Sequence, residues 1–202
     1  MAATRQTPAA ARTEQRIYAT SIRLMSERGY HGTSLRDIAR ASEVQIASIY
    51  YYFDSKQALL LRIMSQTMRE LTAAVAAAIG EATSPAERLR AGLRAHLAFH
   101  ADRALEAFLT DSEIRALEPA SRQTIVAARD AYEQMFHAIL REGVAAGDFS
   151  VPDVKVMTFG MMATCTAVAG WFRPGGRLGI DTISDAYADL FLHGISTSGR
   201  AT

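Results

Sequence analysis

Between Thr33 and Lys56 the chain gathers side chains able to grip an extended polyanion and the edges of planar rings. Tyr50, Tyr51 and Tyr52 run consecutively, Lys56 follows, and Arg36, Gln45 and Ser48 precede them. Tyrosine hydroxyls and a lysine ammonium donate to phosphate oxygens. Arginine, glutamine and serine can hydrogen-bond to base edges. The chemistry in prospect is nucleic-acid recognition, provided that the backbone presents these groups on one face.

The local pattern supplies such a scaffold. From Thr13, the apolar positions Ile17, Ile22, Leu24 and Met25 fit a helix that ends at Gly29, which can take the left-handed C-terminal conformation. Thr33 and Ser34 can cap a second helix, with Asp37 in a capping-box-like position three residues after Ser34. Leu35, Ile38, Ala39 and Ser42 face inward or pack closely. A very short helix over 46–52 follows, anchored by Val44, Ile49 and Phe53, with Gln45, Ala47, Ser48 and Tyr51 pointing out. Helix, brief turn and short helix is the arrangement that fits a major groove about 12 Å wide. Arg36, in the first turn of the preceding helix, could reach a guanine edge or a phosphate. Lys56 opens the next helix, where its charge and the free N–H groups both favour a phosphate. Phosphate contacts would position the unit, while Gln45, Ser48 and Arg36 would read bases. Thr33, Ser34, Ile46, Ala47, Tyr50, Tyr51, Tyr52 and Lys56 complete the expected DNA-contacting set.

The rest of the chain continues in helical periods. Ser55 can cap a long helix in which Leu60, Met64, Met68, Leu71, Val75 and Ile79 recur at steps of three and four. Ser84-Pro85-Ala86-Glu87 signals another start, and Leu89, Leu93 and Leu97 share its stripe. A short helix is expected over 102–110, a long one from Pro119, an apolar one after Pro152-Asp153 and a last one from about Thr182 to His193. No segment alternates as a strand would. The expected fold is therefore all-α with about nine helices: a flexible arm 1–12, a three-helix helix-turn-helix domain 13–56, and a helical body 57–202.

Composition agrees with a folded, non-membrane chain. Of 202 residues, 49% are hydrophobic and 21% charged, and no apolar run reaches membrane-spanning length. The first residues lack a secretory apolar core, and a single cysteine suits the reducing cytoplasm, the expected location. Charge is polarised: residues 1–60 carry eight Arg/Lys against five acids, a net of +3, and the remainder carries −2. That polarity permits DNA binding at one end.

The stretch TSLRDIARASEVQIASIYYYFDSKQALL resembles the DNA-binding signature of the TetR family of transcriptional repressors. Ile38, Ala39, Val44, Ile49, Tyr50, Phe53, Ser55, Lys56 and Leu59 or Leu60 match that pattern. Glu43 stands where the family has a turn glycine, Gln45 at the usual capping serine, Ala47 at a common glycine and Tyr52 at a histidine, which leaves the operator sequence open. A left-handed turn at Glu43 would cost up to about 1 kcal/mol. The resemblance implies that residues 57–202 form a ligand-binding and dimerisation body, with a four-helix interface from the last two helices. The protein would then be a homodimeric repressor of a palindromic double-stranded DNA operator, released by a small apolar effector. No enzymatic role, cofactor, metal or membrane partner is expected.

Within that body, Met64, Met68, Leu71, Leu93 and Leu97 are candidate cavity residues, with Phe108, Met135, Phe136, Met161 and Cys165. The competing reading is that they simply fill the core. Phe159, Ala163, Ala167, Gly170 and Trp171, with Ile183, Tyr187, Leu190 and Phe191, are the candidate dimer surface. The turn WFRPGGRL resembles a subset of the family that answers to fatty acyl-CoA or steroid-derived CoA thioesters, in which case Arg173 and Arg177 could meet the anionic CoA portion. A solvated turn with Trp171 at the dimer seam is the alternative. His96 and His100 could share a metal but suit partly buried, non-ligand histidines better. Cys165 reads as a small core residue rather than a nucleophile. The rival to a regulator is an all-α enzyme or apolar-ligand carrier whose N-terminal bundle is only structural.

Overall fold

The computed structural model describes residues 8–196. They form α1 (Pro8–Arg28), α2 (Leu35–Ala41), α3 (Ile46–Tyr52), α4 (Lys56–Gly80), α5 (Pro85–Asp102), α6 (Ala104–Ser112), α7 (Pro119–Ala146), α8 (Val154–Thr166), α9 (Val168–Trp171) and α10 (Ile180–Ile195), with a 3-10 turn at Ile114–Ala116. Only Ala167 separates α8 from α9, so the ten helical segments amount to nine rods among the described residues. No described residue belongs to a strand; Phe149 and Ser196 form an isolated antiparallel bridge.

Helix starts follow side-chain chemistry. In a capping box, the Ser34 hydroxyl accepts from Asp37 N (3.1 Å) while the Asp37 carboxylate accepts from Ser34 N (3.1 Å). Ser84 and Glu87 repeat the device at α5, at 3.3 and 3.0 Å. Ser55 caps α4 and Asp153 caps α8, each through one hydrogen bond of 3.0 Å. Gly147, at φ 80°, closes α7 in the left-handed region that glycine adopts without strain. One boundary differs from expectation: α1 begins at Pro8, inside the expected arm 1–12. Proline suits a first helical turn, and Ala9, Ala10 and Ala11 are strong helix formers, so nothing local stops the helix before Thr13. Residues 1–7 of that arm lie outside the described residues.

Two cores meet along α4. The first joins Ile17, Leu24 and Met25 of α1, Ile38 of α2, Ile49 of α3 and the N-terminal half of α4. Leu109 of α6, Leu117 from the connection to α7 and Ile125 near the start of α7 complete it. The second joins Met68, Leu71 and Val75 of α4 with the leucine stripe of α5, Phe136 and Leu140 of α7, Met161 and Cys165 of α8 and Ile183 of α10. Burying each such side chain contributes roughly 1.5–3 kcal/mol. The expected division at 56/57 falls in the first turn of α4, a helix that contributes side chains to both cores. α10 lies against α5, pinned by Arg90 to Asp189 (2.6 Å) and Arg94 to Asp185.

Candidate nucleic-acid interface and ligand cavity

Ile49 (0% exposed) and Phe53 (4%) root α3 in the first core and push the opposite face of that short helix outward. Gln45, Ile46, Ala47, Tyr50 and Tyr51 are exposed, Tyr51 at 75%, and Ser48 is half-buried. Tyr52 is half-buried and stands edge-to-face with Tyr51, ring centroids 4.9 Å apart. Arg36 is exposed at the start of α2. The α2–α3 turn holds Glu43 at φ 53°, so the left-handed turn is retained without its glycine. Val44 N donating to Ala39 O (3.0 Å) and Glu43 N donating to Arg40 O (3.2 Å) fix that corner. Gln45 occupies the N-cap of α3 but makes no capping bond, which leaves its amide free for an outside partner.

Two members of the expected contact set do other work. Thr33 is buried, and its hydroxyl proton is shared between Leu24 O (3.1 Å) and Gly29 O (3.0 Å), where it ties down the end of α1. A β-branched hydroxyl next to unpaired terminal carbonyls satisfies them better than it could reach a phosphate. Lys56 is half-buried, and its ammonium donates to Tyr30 O and Thr33 O, both at 2.9 Å. It also lies 4.0 Å from the Tyr30 ring centroid. Lys56 therefore staples the N-terminus of α4 to the α1–α2 corner, with one of its three N–H donors left over. Ser34 is exposed, with its hydroxyl engaged in the α2 cap.

The body contains a cavity of about 290 Å³ between α4, α5, α6, α7 and α8. Of the ten expected lining residues, Met68 and Leu71 are there. Met64 packs in the first core; Leu93, Leu97, Phe136, Met161 and Cys165 fill the second, and Met135 packs against it. Phe108 is 49% exposed. α5 turns its leucine stripe to the core, and the adjacent edge bearing His96, Phe99 and His100 faces the cavity instead. Thr67, Thr110, Asp111, Arg129, Tyr132, Glu133 and Met162 were not anticipated as lining residues. The i,i+4 histidine pair was the available signal.

The histidines are more deeply buried than expected, at 1% and 4% exposure. Their rings stack with centroids 4.1 Å apart. His96 Nδ1 is 2.6 Å from the Tyr132 hydroxyl and its Nε2 is 3.2 Å from Thr166 Oγ1. Desolvation, then the neighbouring His100, holds His96 well below the usual histidine range. Desolvation also lowers His100, although its hydrogen bond with the His96 backbone and then the nearby Asp111 pull the other way. Both rings are therefore neutral near pH 7. At the mouth, Arg129 donates to Thr110 O and to Asp111 Oδ1, each at 2.7 Å. Burial pushes the Cys165 thiol up to about 12, which makes it unreactive. Among the described residues no group of three or more His, Cys, Asp or Glu side chains is placed to hold a metal, and no helix is long and apolar enough to cross a membrane.

The expected dimer surface divides. Phe159 (49% exposed), Trp171 (48%) and Leu190 (62%) stand out of the fold, and Ala163, Ala167 and Gly170 are exposed beside them. Tyr187 and Phe191 are half-buried. Ile183 does not belong to this surface: it is 6% exposed and packs in the second core, because α10 turns that edge inward. Phe159 and Ala163 also line the cavity. Arg173 and Arg177 lie exposed in the turn after α9 and are not among the lining residues; Arg173 donates to Phe172 O (2.8 Å).

Comparison with known proteins agrees with this layout. Residues 17–63 match the model for bacterial regulatory proteins of the tetR family, and residues 82–195 match the tetracyclin repressor-like, C-terminal domain. The chain is 28% identical over 178 residues to the HTH-type transcriptional repressor KstR2 of Mycolicibacterium smegmatis, covering 87% of this chain and 86% of that protein. It is 25% identical over 183 residues to the fatty acid metabolism regulator protein of Bacillus subtilis, covering 89% and 93%. The solved structure of AibR in complex with isovaleryl coenzyme A and operator DNA superposes with a TM-score of 0.80 at 27% identity, over 88% of this chain and 97% of that one. A projecting α3 on a three-helix unit, a helical body enclosing a cavity and matches to both halves lead to one assignment: the chain belongs to the TetR family of regulators.

Proposed function

We propose that this TetR-family regulator represses transcription as a homodimer on a palindromic operator and is released by a small, largely apolar effector bound between α4 and α8. The observation that carries the DNA-binding part is the outward face of α3, where Gln45, Ala47 and Tyr51 are exposed over a buried Ile49. A twofold dimer would present two such faces to half-sites one helical turn, about 34–36 Å, or a multiple of it apart. Arg36, Gln45 and Ser48 would read bases, and the tyrosine hydroxyls would meet phosphates. The exposed apolar residues of α8, α9 and α10 supply a surface for the second subunit. Such a protein would work in the cytoplasm, where its operator is.

An acyl-CoA thioester is the effector class this reading favours. Support comes from two similar proteins, a fatty acid metabolism regulator and AibR, whose structure holds isovaleryl coenzyme A and operator DNA. The cavity volume of about 290 Å³ corresponds to about ten water molecules. That accommodates a short acyl part, and the CoA nucleotide would remain outside, near Arg129 at the mouth. The effector must bind the DNA-free form better than the DNA-bound form, and by linkage operator DNA weakens its binding equally.

Fluorescence anisotropy on an operator fragment selected from genomic DNA tests the reading. Affinity should fall by orders of magnitude across modest salt, as counterion release requires. Short acyl-CoA thioesters should weaken binding while free CoA leaves it unchanged. Failure to select any sequence, or affinity indifferent to salt, would favour a carrier with a merely structural N-terminal bundle.

A further inference from the structure

The polar wall of the cavity is unevenly satisfied. His100 Nδ1 lies 2.9 Å from the His96 carbonyl oxygen. A carbonyl only accepts, so Nδ1 carries the proton and Nε2 of the neutral ring presents a bare lone pair. His100 is 4% exposed and lines the cavity, and among the described residues its Nε2 has no hydrogen-bond partner. The Thr110 hydroxyl, contributed by α6 to the same wall, is buried and equally unpartnered. The neighbouring polar groups are already spoken for: His96 holds Tyr132 and Thr166 through its two nitrogens. What remains unpaired among the buried groups of this wall is the His100 acceptor and the Thr110 hydroxyl, in a lining that also carries Asp111, Arg129 and Glu133.

We propose that the effector carries a hydroxyl group on its apolar part, donating to His100 Nε2 and accepting from Thr110, so that the cavity selects hydroxylated chains or rings over their carbonyl counterparts. A single hydroxyl satisfies both orphaned groups, because it alone donates and accepts at one atom. A ketone, ether or thioester oxygen brings only lone pairs against the lone pair of Nε2 and leaves that nitrogen unpaired. A carboxylate would add a desolvated charge beside two neutral rings, and the cation of the lining, Arg129, is already held by Thr110 O and Asp111 Oδ1. The inference rests on the cavity being the effector site, and it specifies which acyl or ring ligands that site prefers.

The test uses the full chain and a matched pair of probes, 2-octanol and 2-octanone, which share a carbon skeleton. Calorimetry should show 2-octanol binding roughly 10- to 100-fold more tightly, the range expected when a buried polar group is left unpaired. Thr110→Val, nearly isosteric and removing a hydroxyl that bonds to nothing in the fold, should cut that preference severalfold while 2-octanone binds as before. His100→Phe should abolish it. Nitrogen-15 spectra of the wild-type protein supply a readout that needs no variant. The free protein should show His100 as the Nδ1–H tautomer, and its Nε2 resonance should move with 2-octanol and stay with 2-octanone. An Nε2–H tautomer, equal affinities for the two probes or no binding of either would overturn the proposal. Operator release separates this from the broader reading. Selective binding without any release sinks the effector assignment alone, whereas equal release by both probes sinks only the hydroxyl preference.

Discussion

Replacing Lys56 by methionine keeps the aliphatic stem and removes the ammonium. The ammonium makes two hydrogen bonds of 2.9 Å to Tyr30 O and Thr33 O and sits 4.0 Å from the Tyr30 ring centroid. Hydrogen bonds to a charged group contribute about 1.5–3 kcal/mol each when well buried. Lys56 is half-buried, so solvent screening brings each bond down to about 1 kcal/mol. With a cation–π contact of about 0.5–1 kcal/mol, the loss should be about 2–3 kcal/mol. In a protein of this size that lowers Tm by about 4–12 °C, measurable by circular dichroism. Because the bonds join α4 to the α1–α2 corner, the reading head should also loosen, weakening binding to every operator variant alike. The salt dependence of that binding distinguishes the staple from a phosphate contact. A staple leaves the slope of log K against log salt unchanged; a direct phosphate contact removes about 0.9 from it. An unchanged Tm together with a shallower slope would refute the structural role.

Three further substitutions and a change of pH carry definite expectations. Glu43→Gly should raise stability by about 0.5–1 kcal/mol in denaturant titrations, because φ 53° strains any residue with a Cβ; a loss of stability would contradict the turn geometry. His96 and His100 have folded pKa values below their unfolded ones, so the unfolded state takes up protons first. Their contribution to stability is intact above about pH 6.5 and is lost as pH falls below it, by up to about 1.4 kcal/mol per pH unit for each ring. Asp111 partly offsets this for His100, and a pH slope that His96→Phe leaves unchanged would count against it. Gln45→Ala should relax preference at one operator position by about 1–3 kcal/mol, whereas Tyr51→Phe should weaken all sequences uniformly; binding arrays reading both patterns the other way round would reverse the assigned roles.

Local chemistry was legible and orientation was not. Ser34, Ser55, Ser84 and Asp153 each announce a helix start, because capping depends on residues within one turn of each other. The outward face of α3 followed from Ile49 and Phe53 by the same local periodicity. Thr33 and Lys56 have other partners, the carbonyls of Leu24, Gly29, Tyr30 and Thr33, because the end of α1 and the turn after it fold back against α4, an approach that helical periodicity alone does not encode. The cavity was the least legible feature. Leu93 and Leu97 share a helix with His96 and His100, and only the tilt of α5 against α4, α7 and α8 decides which edge meets empty space. Apolar residues mark burial, and the cavity wall is better marked by the polar groups that burial leaves incompletely paired.

The most direct measurement is hydroxyl-radical footprinting of the full chain on a genomic fragment that it selects. The account requires two protected patches related by twofold symmetry, in major grooves about one helical turn or a multiple apart, with base preference shifted by Gln45→Ala. Protection lacking that symmetry, or a footprint indifferent to substitutions on the outer face of α3, would contradict the claim that this face meets DNA.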